Sequence, residues 1–424
     1  MNPEMNTPTY RFETKAIHDG LKDKEWEGST LPPIFQSAAH SHESAESLSQ
    51  TFAGQSQEHI YMRLSNPTNR FLEEKLASLE SGKAAVVTSS GMAAINNACM
   101  SLLSAGDEFV ASSSLFMSTY GLFTNIYKRY NIEAKLVNPL DLDEIEAAIN
   151  DKTRFVYIET ITNPGMEIAD IKSIATIAHK KGVPLLVDNT LASPWLCRPI
   201  ELGADIILHS TTKYFSGHGA ALGGVVVDAG NFDWGTDRFK DLAPFIAQKG
   251  ELAFLHRMWK EYHVNFGTTP APFHSFLTAI GLTTIGIRME RHMENAVKAA
   301  HFLRDHPKVD WVNFPGFEDH PSHAMAKEQF NGKGFGTMLT FGLKDQAACF
   351  KLINSLSMIL NIANLGDCKT LIIHPYSSQY ISFPEELKNK LADPCLLRLS
   401  VGIEHIDDIC ADLEQALEQT LEQI

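Results

Sequence analysis

The feature that most constrains the fold is a regular alternation of short apolar segments with amphipathic segments, beginning near Asn66. Apolar runs bounded by turn formers are typical of strands that are buried on both faces, and helices between such strands indicate a parallel sheet. The predicted strands are Ala84–Thr88, Glu108–Ala111, Phe155–Ile158, Leu185–Val187, Ile206–Leu208 and Gly224–Val227. The predicted helices are Phe71–Ser81, Met92–Leu103, Asp143–Ile149 and Ile171–Lys181. The sequence therefore predicts an α/β fold with a mostly parallel sheet covered by helices.

The segments on either side of this alternation differ from it. Residues 1–60 are rich in turn formers and polar residues, which predicts an N-terminal arm with one short helix, packed on a partner. Residues 61–265 form the predicted large domain, and residues 266–424 a smaller α/β domain. The latter contains predicted helices at Thr278–Arg304, Ala347–Leu356 and Asp407–Gln423, and strands at Gly336–Gly342 and Leu396–Ser400.

Composition excludes several classes of function. The 424 residues include 36 Lys and Arg against 51 Asp and Glu, a net charge of −15, which disfavours binding to nucleic acid or to anionic lipid. No apolar run is long enough to span a membrane, and the segment before Thr14 lacks the apolar core of a signal peptide. Six scattered Cys without CxxC spacing are typical of reduced thiols, so we expect a cytoplasmic protein. The His residues form no metal-ligand motif, so we expect no metal.

Two of the polar features that follow predicted strands are suited to binding a phosphorylated cofactor. Ser90, Gly91 and Met92 open a helix, where free backbone N–H groups and the helix dipole favour a phosphate. Asp188 ends the strand that begins at Leu185, where a carboxylate is able to pair with a protonated ring nitrogen. Each residue also has a purely structural interpretation, as a helix cap or as a turn former.

The other two features are cations in apolar surroundings. Lys213 follows a buried strand and the hydroxyls of Ser210 and Thr212, a setting in which a desolvated Lys bonds covalently to an aldehyde. Arg398 lies within the apolar strand Leu396–Ser400 and needs an anion, either a substrate carboxylate or an internal acid. A Lys, an acid, a phosphate-binding loop and a carboxylate-binding Arg are together what a pyridoxal phosphate site requires.

Together with their flanking motifs, these residues resemble a known family, the pyridoxal-phosphate enzymes of cysteine and methionine metabolism. That family has the aspartate-aminotransferase type of fold (fold type I). The resemblance spans nearly the whole chain. Its carriers are Tyr61–Thr68, Ser90–Met92, Glu159–Thr160 with Asn163–Pro164, Val187–Thr190, and Ser210–Tyr214 continuing through Gly219.

The resemblance implies a role for each of these motifs. Lys213 would hold the cofactor and move protons, Asp188 would pair with the pyridine nitrogen, and Asn163 would lie near the ring hydroxyl. Gly91, Met92, Ser210 and Thr212 would bind the phosphate together with Ser90, and Arg398 and Asn364 would bind the substrate. Tyr61 and Arg63 would reach the phosphate of a neighbouring subunit, which implies a homodimer as the smallest active unit and a homotetramer as the expected assembly.

Within the family the chain is most similar to the O-acetylhomoserine sulfhydrylases. The segment Arg11–Thr14, the insertion after Gly230 and the segment from Asn364 to Pro375 carry this similarity. It implies γ-replacement on O-acetylhomoserine by sulfide or a thiol, giving homocysteine and acetate for methionine biosynthesis. The alternatives are a methionine or cystathionine γ-lyase, a cystathionine γ-synthase, and a non-catalytic binding protein on the same scaffold.

One position departs from the family pattern. The family places a Tyr after the third strand, where its ring stacks on the cofactor, but this chain reads Ser114-Leu115-Phe116-Met117. We expect Phe116 to take that place, which keeps the ring and loses the hydroxyl. The alternative is that Tyr120 takes the role, which would require a shifted loop.

Overall fold

The computed structural model describes residues 10–22 and 26–420, and its centre is a seven-stranded sheet. The strands run in the order β1-β7-β6-β5-β4-β2-β3. Their bounds are β1 Ala84–Thr88, β2 Glu108–Ser112, β3 Glu133–Val137, β4 Thr153–Glu159, β5 Leu185–Asp188, β6 Ile206–His209 and β7 Gly224–Asp228. The predicted strands of this sheet are confirmed, with ends that differ by a residue or two. Strand β3 was not predicted.

The sheet is mostly parallel, as the sequence predicts. Strand β7 is antiparallel to both of its neighbours, and the remaining pairs are parallel. The register places Glu159 opposite Asp188, and Asp188 opposite Leu208 at the end of β6. Because parallel strands end at the same edge, the residues that follow β4, β5 and β6 converge there, where open α/β sheets bind ligands.

Helices cover both faces of this sheet over two separate apolar clusters, one around Val187 and Ile207 and the other around Leu186 and Leu208. In the arm and the large domain the α-helices are α1 Phe12–His18, α2 Ala45–Phe52, α3 Pro67–Leu79, α4 Gly91–Met100, α5 Met117–Gly121, α6 Leu142–Ala148, α7 Ile171–Lys180, α8 Ser193–Leu196, α9 Ala243–Lys249, α10 Ala253–Arg257 and α11 Val264–Phe266. Short 3₁₀ or π segments occupy Leu122–Ile126, Tyr127–Tyr130, Pro199–Leu202, Asp237–Leu242, Gly250–Leu252 and Met258–His263.

The arm contains two short helices instead of the predicted one. The first, α1, packs on α3 of the same chain, because the buried Nζ of Lys75 donates hydrogen bonds to the carbonyl oxygens of Ala16 (2.7 Å) and Ile17 (3.1 Å). Burial lowers the pKa of Lys75 to about 8. This part of the arm is therefore held by its own chain.

A second, five-stranded sheet has the order β10-β11-β12-β9-β8 and a separate apolar core. Its strands are β8 Trp311–Asn313, β9 Met338–Gly342, β10 Leu360–Asn361, β11 Leu371–Ile373 and β12 Leu396–Ser400. Its helices, with those that lead into it, are α12 Pro272–Leu282, α13 Ile285–Asp305, α14 His323–Gln329, α15 Gln346–Ser355, α16 Glu385–Leu391 and α17 Ile406–Gln419. The domain boundary at residue 266 stays a prediction, and the predicted end of the last helix at Gln423 lies outside the described residues.

The prediction of one helix over Thr278–Arg304 is wrong, because the helix is interrupted between α12 and α13. The guanidinium of Arg288 donates hydrogen bonds to the carbonyl oxygens of Gly281 (2.6 Å) and Tyr214 (2.8 Å). A Cβ at Gly281 would lie 2.4 Å from the carbonyl oxygens of Phe215 and Ser216. The loop after Lys213 thus packs against the end of α12, and a side chain bonds the carbonyl of Gly281 near that end.

Three further observations bear on function. All six Cys are free thiols. No helix in the described part of the chain has the length and apolar character needed to cross a membrane. Over residues 10–22 and 26–420, no group of three or more His, Cys, Asp or Glu side chains is arranged to hold a metal ion.

Candidate active site

The phosphate-binding loop predicted at the start of α4 lies against the turn after β6. The Ser90 hydroxyl caps α4 by accepting a hydrogen bond from the Ala93 N–H (3.1 Å). The N–H groups of Gly91 and Met92 make no hydrogen bond to a described residue. A Cβ at Gly91 would lie 2.7 Å from the Cβ of Ser210, so only glycine allows this approach. Free donors at a helix N-terminus beside a serine are what a phosphate needs.

The turn after β6, which contains Ser210 and Thr212, is fixed by hydrogen bonds of its own residues. Thr212 Oγ1 accepts from the Gly223 N–H (3.0 Å) and donates to the Gly223 carbonyl oxygen (3.2 Å). The Ser210 N–H donates to Thr190 Oγ1 (2.9 Å), which ties this turn to the end of β5. The turn therefore lies at the same sheet edge as Asp188.

Asp188 is positioned by its neighbours before any ligand is present. Its Oδ1 accepts hydrogen bonds from the N–H (3.0 Å) and hydroxyl (2.5 Å) of Thr190, and Tyr157 Oη lies 3.5 Å from Oδ2. Burial raises the pKa of Asp188, and the bonds from Thr190 oppose that rise. A carboxylate in this state is stabilised by a cation, such as a protonated ring nitrogen.

A second carboxyl group lies on the adjacent strand, in a motif that resembles the family but for which the resemblance implies no role. Glu159 is buried, and its Oε1 accepts a hydrogen bond from the backbone N–H of Phe116 (2.7 Å). Burial and then the charge of Asp188 raise the pKa of Glu159 well above its ordinary value. Glu159 thus fixes the backbone at Phe116, the residue expected to stack on the cofactor.

The side chain of Phe116 is partly buried at the start of α5. Tyr120 follows one helical turn later, and its ring packs against Phe383 with centroids 5.9 Å apart. The assignment of the stacking role to Phe116 stays a prediction.

Lys213 lies where the two sheets meet. Its Nζ is 2.5 Å from Asn364 Oδ1, a contact between residues 151 positions apart. Burial, and after it the positive charge of Arg398, lower the pKa of Lys213 to about 8. A lysine with this pKa is neutral, and therefore nucleophilic, in about a tenth of molecules at pH 7 and in about half of them at pH 8.

Arg398 is buried in the middle of β12 and has no acid partner among the described residues. Its Nη1 donates to Asn163 Oδ1 (3.1 Å), its Nη2 donates to the Asn364 carbonyl oxygen (3.0 Å), and its Nε has no partner. Burial lowers the pKa of Arg398 to about 10. An internal salt bridge was the alternative interpretation, and the described residues do not provide one. A buried guanidinium with only neutral partners is stabilised when it binds an anion from outside the chain, such as a substrate carboxylate.

The two Asn side chains link the residues already described. Asn364 contacts both Lys213 and Arg398, and Asn163 contacts Arg398. The expected position of Asn163 near the cofactor ring hydroxyl stays a prediction, since its observed polar contact is with Arg398.

Tyr61 and Arg63 are not part of this group of residues. Tyr61 is 44% exposed, the guanidinium of Arg63 stacks over its ring at 5.5 Å, and Arg63 Nη1 donates to the Val264 carbonyl oxygen (2.7 Å). Both residues line an open cleft of about 800 Å³ beside α2. Within one chain they make no contact with Lys213, Asp188 or Arg398 among the described residues.

The fold and the site define a class, the pyridoxal-phosphate enzymes of fold type I. The chain belongs to the Cys/Met metabolism PLP-dependent enzyme family, whose model matches residues 13–418. The predictions of this family, of its fold and of pyridoxal phosphate as the cofactor are therefore confirmed.

Relatives and solved structures agree with this assignment. The homocysteine synthase of Schizosaccharomyces pombe is 40% identical over 430 residues, covering 98% of this chain and 100% of the relative. The L-methionine gamma-lyase of Fusobacterium nucleatum is 39% identical over 418 residues, covering 98% of this chain and 100% of the relative. A Campylobacter jejuni crystal structure described as an O-acetylhomoserine (thiol)-lyase is 34% identical with a TM-score of 0.93, covering 96% and 100% of the two chains. It contains a pyridoxyl-lysine phosphate.

Proposed function

We propose that the protein catalyses γ-replacement on O-acetylhomoserine, with sulfide or a thiol as the nucleophile, and releases homocysteine and acetate. The observation that carries the proposal is the pair formed by Lys213 and Arg398. A lysine with a lowered pKa lies beside a buried guanidinium that has no acid partner in the described part of the chain, and Asn364 contacts both. This pairing suits an amino-acid substrate, because the guanidinium binds its carboxylate while the amine moves its Cα proton.

The residues present fit pyridoxal phosphate. The N–H groups of Gly91 and Met92, with Ser210 and Thr212, would hold the phosphate, and Asp188 would pair with the ring nitrogen. Bound there, the cofactor supplies an electron sink for the carbanion chemistry of the substrate.

The protein's own groups perform the remaining tasks. Arg398 fixes the substrate carboxylate, so that the Cα–H bond lies within reach of the Lys213 amine. Lys213 then removes and returns protons at the substrate carbons. Its lowered pKa increases the fraction of neutral amine that is able to accept a proton as the pH approaches about 8.

A γ-lyase that releases 2-oxobutyrate and ammonia is the second candidate, since one relative of similar identity is a methionine gamma-lyase. The two activities need the same cofactor-binding residues. Phe116 favours replacement on an ester, because acetate leaves as a stable anion whereas a thiolate gains more from a nearby acid.

Product analysis separates these activities. The purified holoenzyme is incubated with O-acetylhomoserine or O-succinylhomoserine, each with and without sulfide. We expect homocysteine from the acetyl ester when sulfide is present. If 2-oxobutyrate is the main product even with sulfide, the lyase is the correct activity, and a preference for the succinyl ester would change the proposed substrate.

We also propose that Tyr61 and Arg63 complete the phosphate site of a neighbouring subunit, within a homodimer that pairs into a homotetramer. Their exposure and their separation from Lys213 support this assignment. The free thiols are consistent with a cytoplasmic location, which we propose as well.

A further inference from the structure

Tyr380 lies in the loop after β11, close to the substrate-binding Arg398. Ile373, the last residue of β11, pairs with Arg398 in β12. The loop that contains Tyr380 therefore leaves the sheet beside Arg398. The Tyr380 N–H donates to the Pro375 carbonyl oxygen (3.1 Å), and its carbonyl accepts from the Phe383 N–H (3.0 Å). The side chain is 2% exposed. Tyr380 is therefore fixed by the fold.

The ring of Tyr380 packs in a small apolar cluster that also reaches the cofactor side of the site. It lies edge to face on Phe383 at 5.5 Å, and Met117 packs against the same cluster. Met117 directly follows Phe116, whose N–H is bonded to Glu159. Tyr380 is thus near the segment that begins at Phe116, and the charge of Arg398 also acts on its hydroxyl. Burial and then the charge of Glu159 raise the pKa of Tyr380, so its hydroxyl stays protonated.

The hydroxyl of Tyr380 makes no hydrogen bond to any group that the structure describes. The hydroxyl oxygen of Tyr376 in the same loop, in contrast, lies within hydrogen-bonding distance of Glu385 Oε1 (2.5 Å) and Asn389 Oδ1 (2.9 Å). The Tyr380 ring is buried, but its unpaired hydroxyl is not among the fully enclosed polar atoms, so the oxygen faces an opening in the fold. A tyrosine hydroxyl that is fixed in this way and has no partner among the described residues is placed to bond a ligand. Because the Arg398 fork matches both oxygens of a carboxylate, the polar group left for Tyr380 is elsewhere on the substrate. One donor in an apolar setting is complementary to an acyl group, with its carbonyl and its methyl.

We propose that Tyr380 contacts the substrate and that its hydroxyl donates a hydrogen bond to the acyl ester at Cγ. This inference rests on the proposed function. When the Cγ–O bond breaks, the electron pair stays on oxygen and acetate leaves as an anion. Tyr380 keeps its proton and stabilises the developing charge by its hydrogen bond. The loop after β11 thereby supplies, near the site, a hydroxyl that Phe116 lacks.

The kinetic test compares Tyr380→Phe with Tyr376→Phe, which removes a hydroxyl from the same loop outside the site. We expect kcat/KM for O-acetylhomoserine to fall about 10- to 100-fold in Tyr380→Phe, mainly through kcat, the scale of a hydrogen bond to a charged group. Conversion of L-vinylglycine and sulfide to homocysteine, in which no acyl group leaves, should stay within about twofold of wild type. Equal losses on both substrates, or a similar loss in Tyr376→Phe, would overturn the assignment.

A binding test separates this inference from the proposed function. The ligand 2-amino-6-oxoheptanoate keeps the acyl carbonyl but cannot lose it, and 2-aminoheptanoate lacks the carbonyl. By calorimetry, wild type should prefer the ketone, and Tyr380→Phe should lose that preference. If wild type forms no homocysteine yet shows this pattern, the proposed replacement reaction is wrong, and the contact between Tyr380 and an acyl carbonyl stands. If wild type forms homocysteine and Tyr380→Phe changes neither readout, the assignment is wrong and the function stands.

Discussion

The Lys213 pocket and the Tyr61 cleft differ in how complete they are within one chain. In the pocket, hydrogen bonds link Lys213 to Asn364, Asn364 to Arg398 and Arg398 to Asn163, although up to 235 positions separate bonded residues. In the cleft, Tyr61 is exposed and Arg63 bonds a backbone carbonyl. This difference is what we expect if the buried, converging residues serve their own chain and if Tyr61 and Arg63 serve a neighbouring chain, as proposed.

The first prediction concerns the pocket and has the largest effect. Lys213→Ala should abolish turnover and the visible cofactor absorbance that borohydride removes from wild type, because Lys213 supplies the amine proposed to bond the cofactor. Lys75 offers a matched comparison, since it is also buried with a pKa of about 8 but holds α1 through backbone carbonyls. Mass spectrometry after borohydride reduction should find the cofactor on Lys213. Finding it on Lys75 or on another lysine would refute the assignment.

The second prediction contrasts the two arginines. Arg398→Lys keeps the charge but loses the planar fork. The fall in kcat/KM should correspond to a loss of about 2–4 kcal/mol in transition-state binding, while cofactor absorbance stays unchanged. Arg63→Lys, the matched variant in the cleft, should weaken cofactor retention instead. Dialysis followed by absorbance, together with steady-state kinetics, measures both effects. Near wild-type kcat/KM in Arg398→Lys would remove this residue from the site.

The third prediction concerns Phe116. Phe116→Tyr should raise γ-elimination from methionine relative to turnover of O-acetylhomoserine, by about tenfold, since a thiolate leaving group gains more from a hydroxyl donor. Rates with both substrates in both proteins measure this ratio. An unchanged ratio, or efficient methionine cleavage by wild type, would instead support the lyase.

The fourth prediction has the smallest effect and concerns pH. Arg398 contributes to the lowered pKa of Lys213, so removing its charge should raise that pKa. Covalent attachment of pyridoxal phosphate to the apoprotein requires the neutral amine, and its rate should increase with pH through about 8 in wild type. In Arg398→Met this midpoint should move to higher pH, whereas in Arg63→Met it should not. Absorbance after cofactor addition between pH 6 and 10 measures it, and identical midpoints would show that Arg398 does not act on Lys213.

Much of the fold was predictable because its central strands are continuous apolar runs. Strand β3 was missed because it is an edge strand with Glu133 and Lys135 among its five residues, so it lacks that pattern. The break after α12 was missed because its cause is a contact with the Lys213 loop, through Gly281 and Arg288. A helical pattern contains no information about a packing partner elsewhere in the chain.

Prediction of the site from the sequence has the same limit. Lys213, Asp188 and Arg398 were predictable because each is a polar residue at an apolar strand or just beyond its end. The bonds that Asn163 and Asn364 make to Arg398 depend on how the two sheets meet, which spacing in the sequence does not reveal. Tyr380 was missed because a tyrosine in a loop has no distinctive sequence pattern. Its proposed role depends on a buried ring whose hydroxyl has no partner among the described residues.

Mixing two inactive variants tests most directly whether the cleft of one chain completes the pocket of another. Arg63→Ala and Lys213→Ala proteins are combined, and subunit exchange is verified by mass spectrometry of differently labelled chains. If the sites are shared, a hybrid dimer contains one site with both defects and one intact site, so part of the wild-type activity should return. Verified exchange without any recovery would contradict the account, and would mean that Arg63 serves the pocket of its own chain.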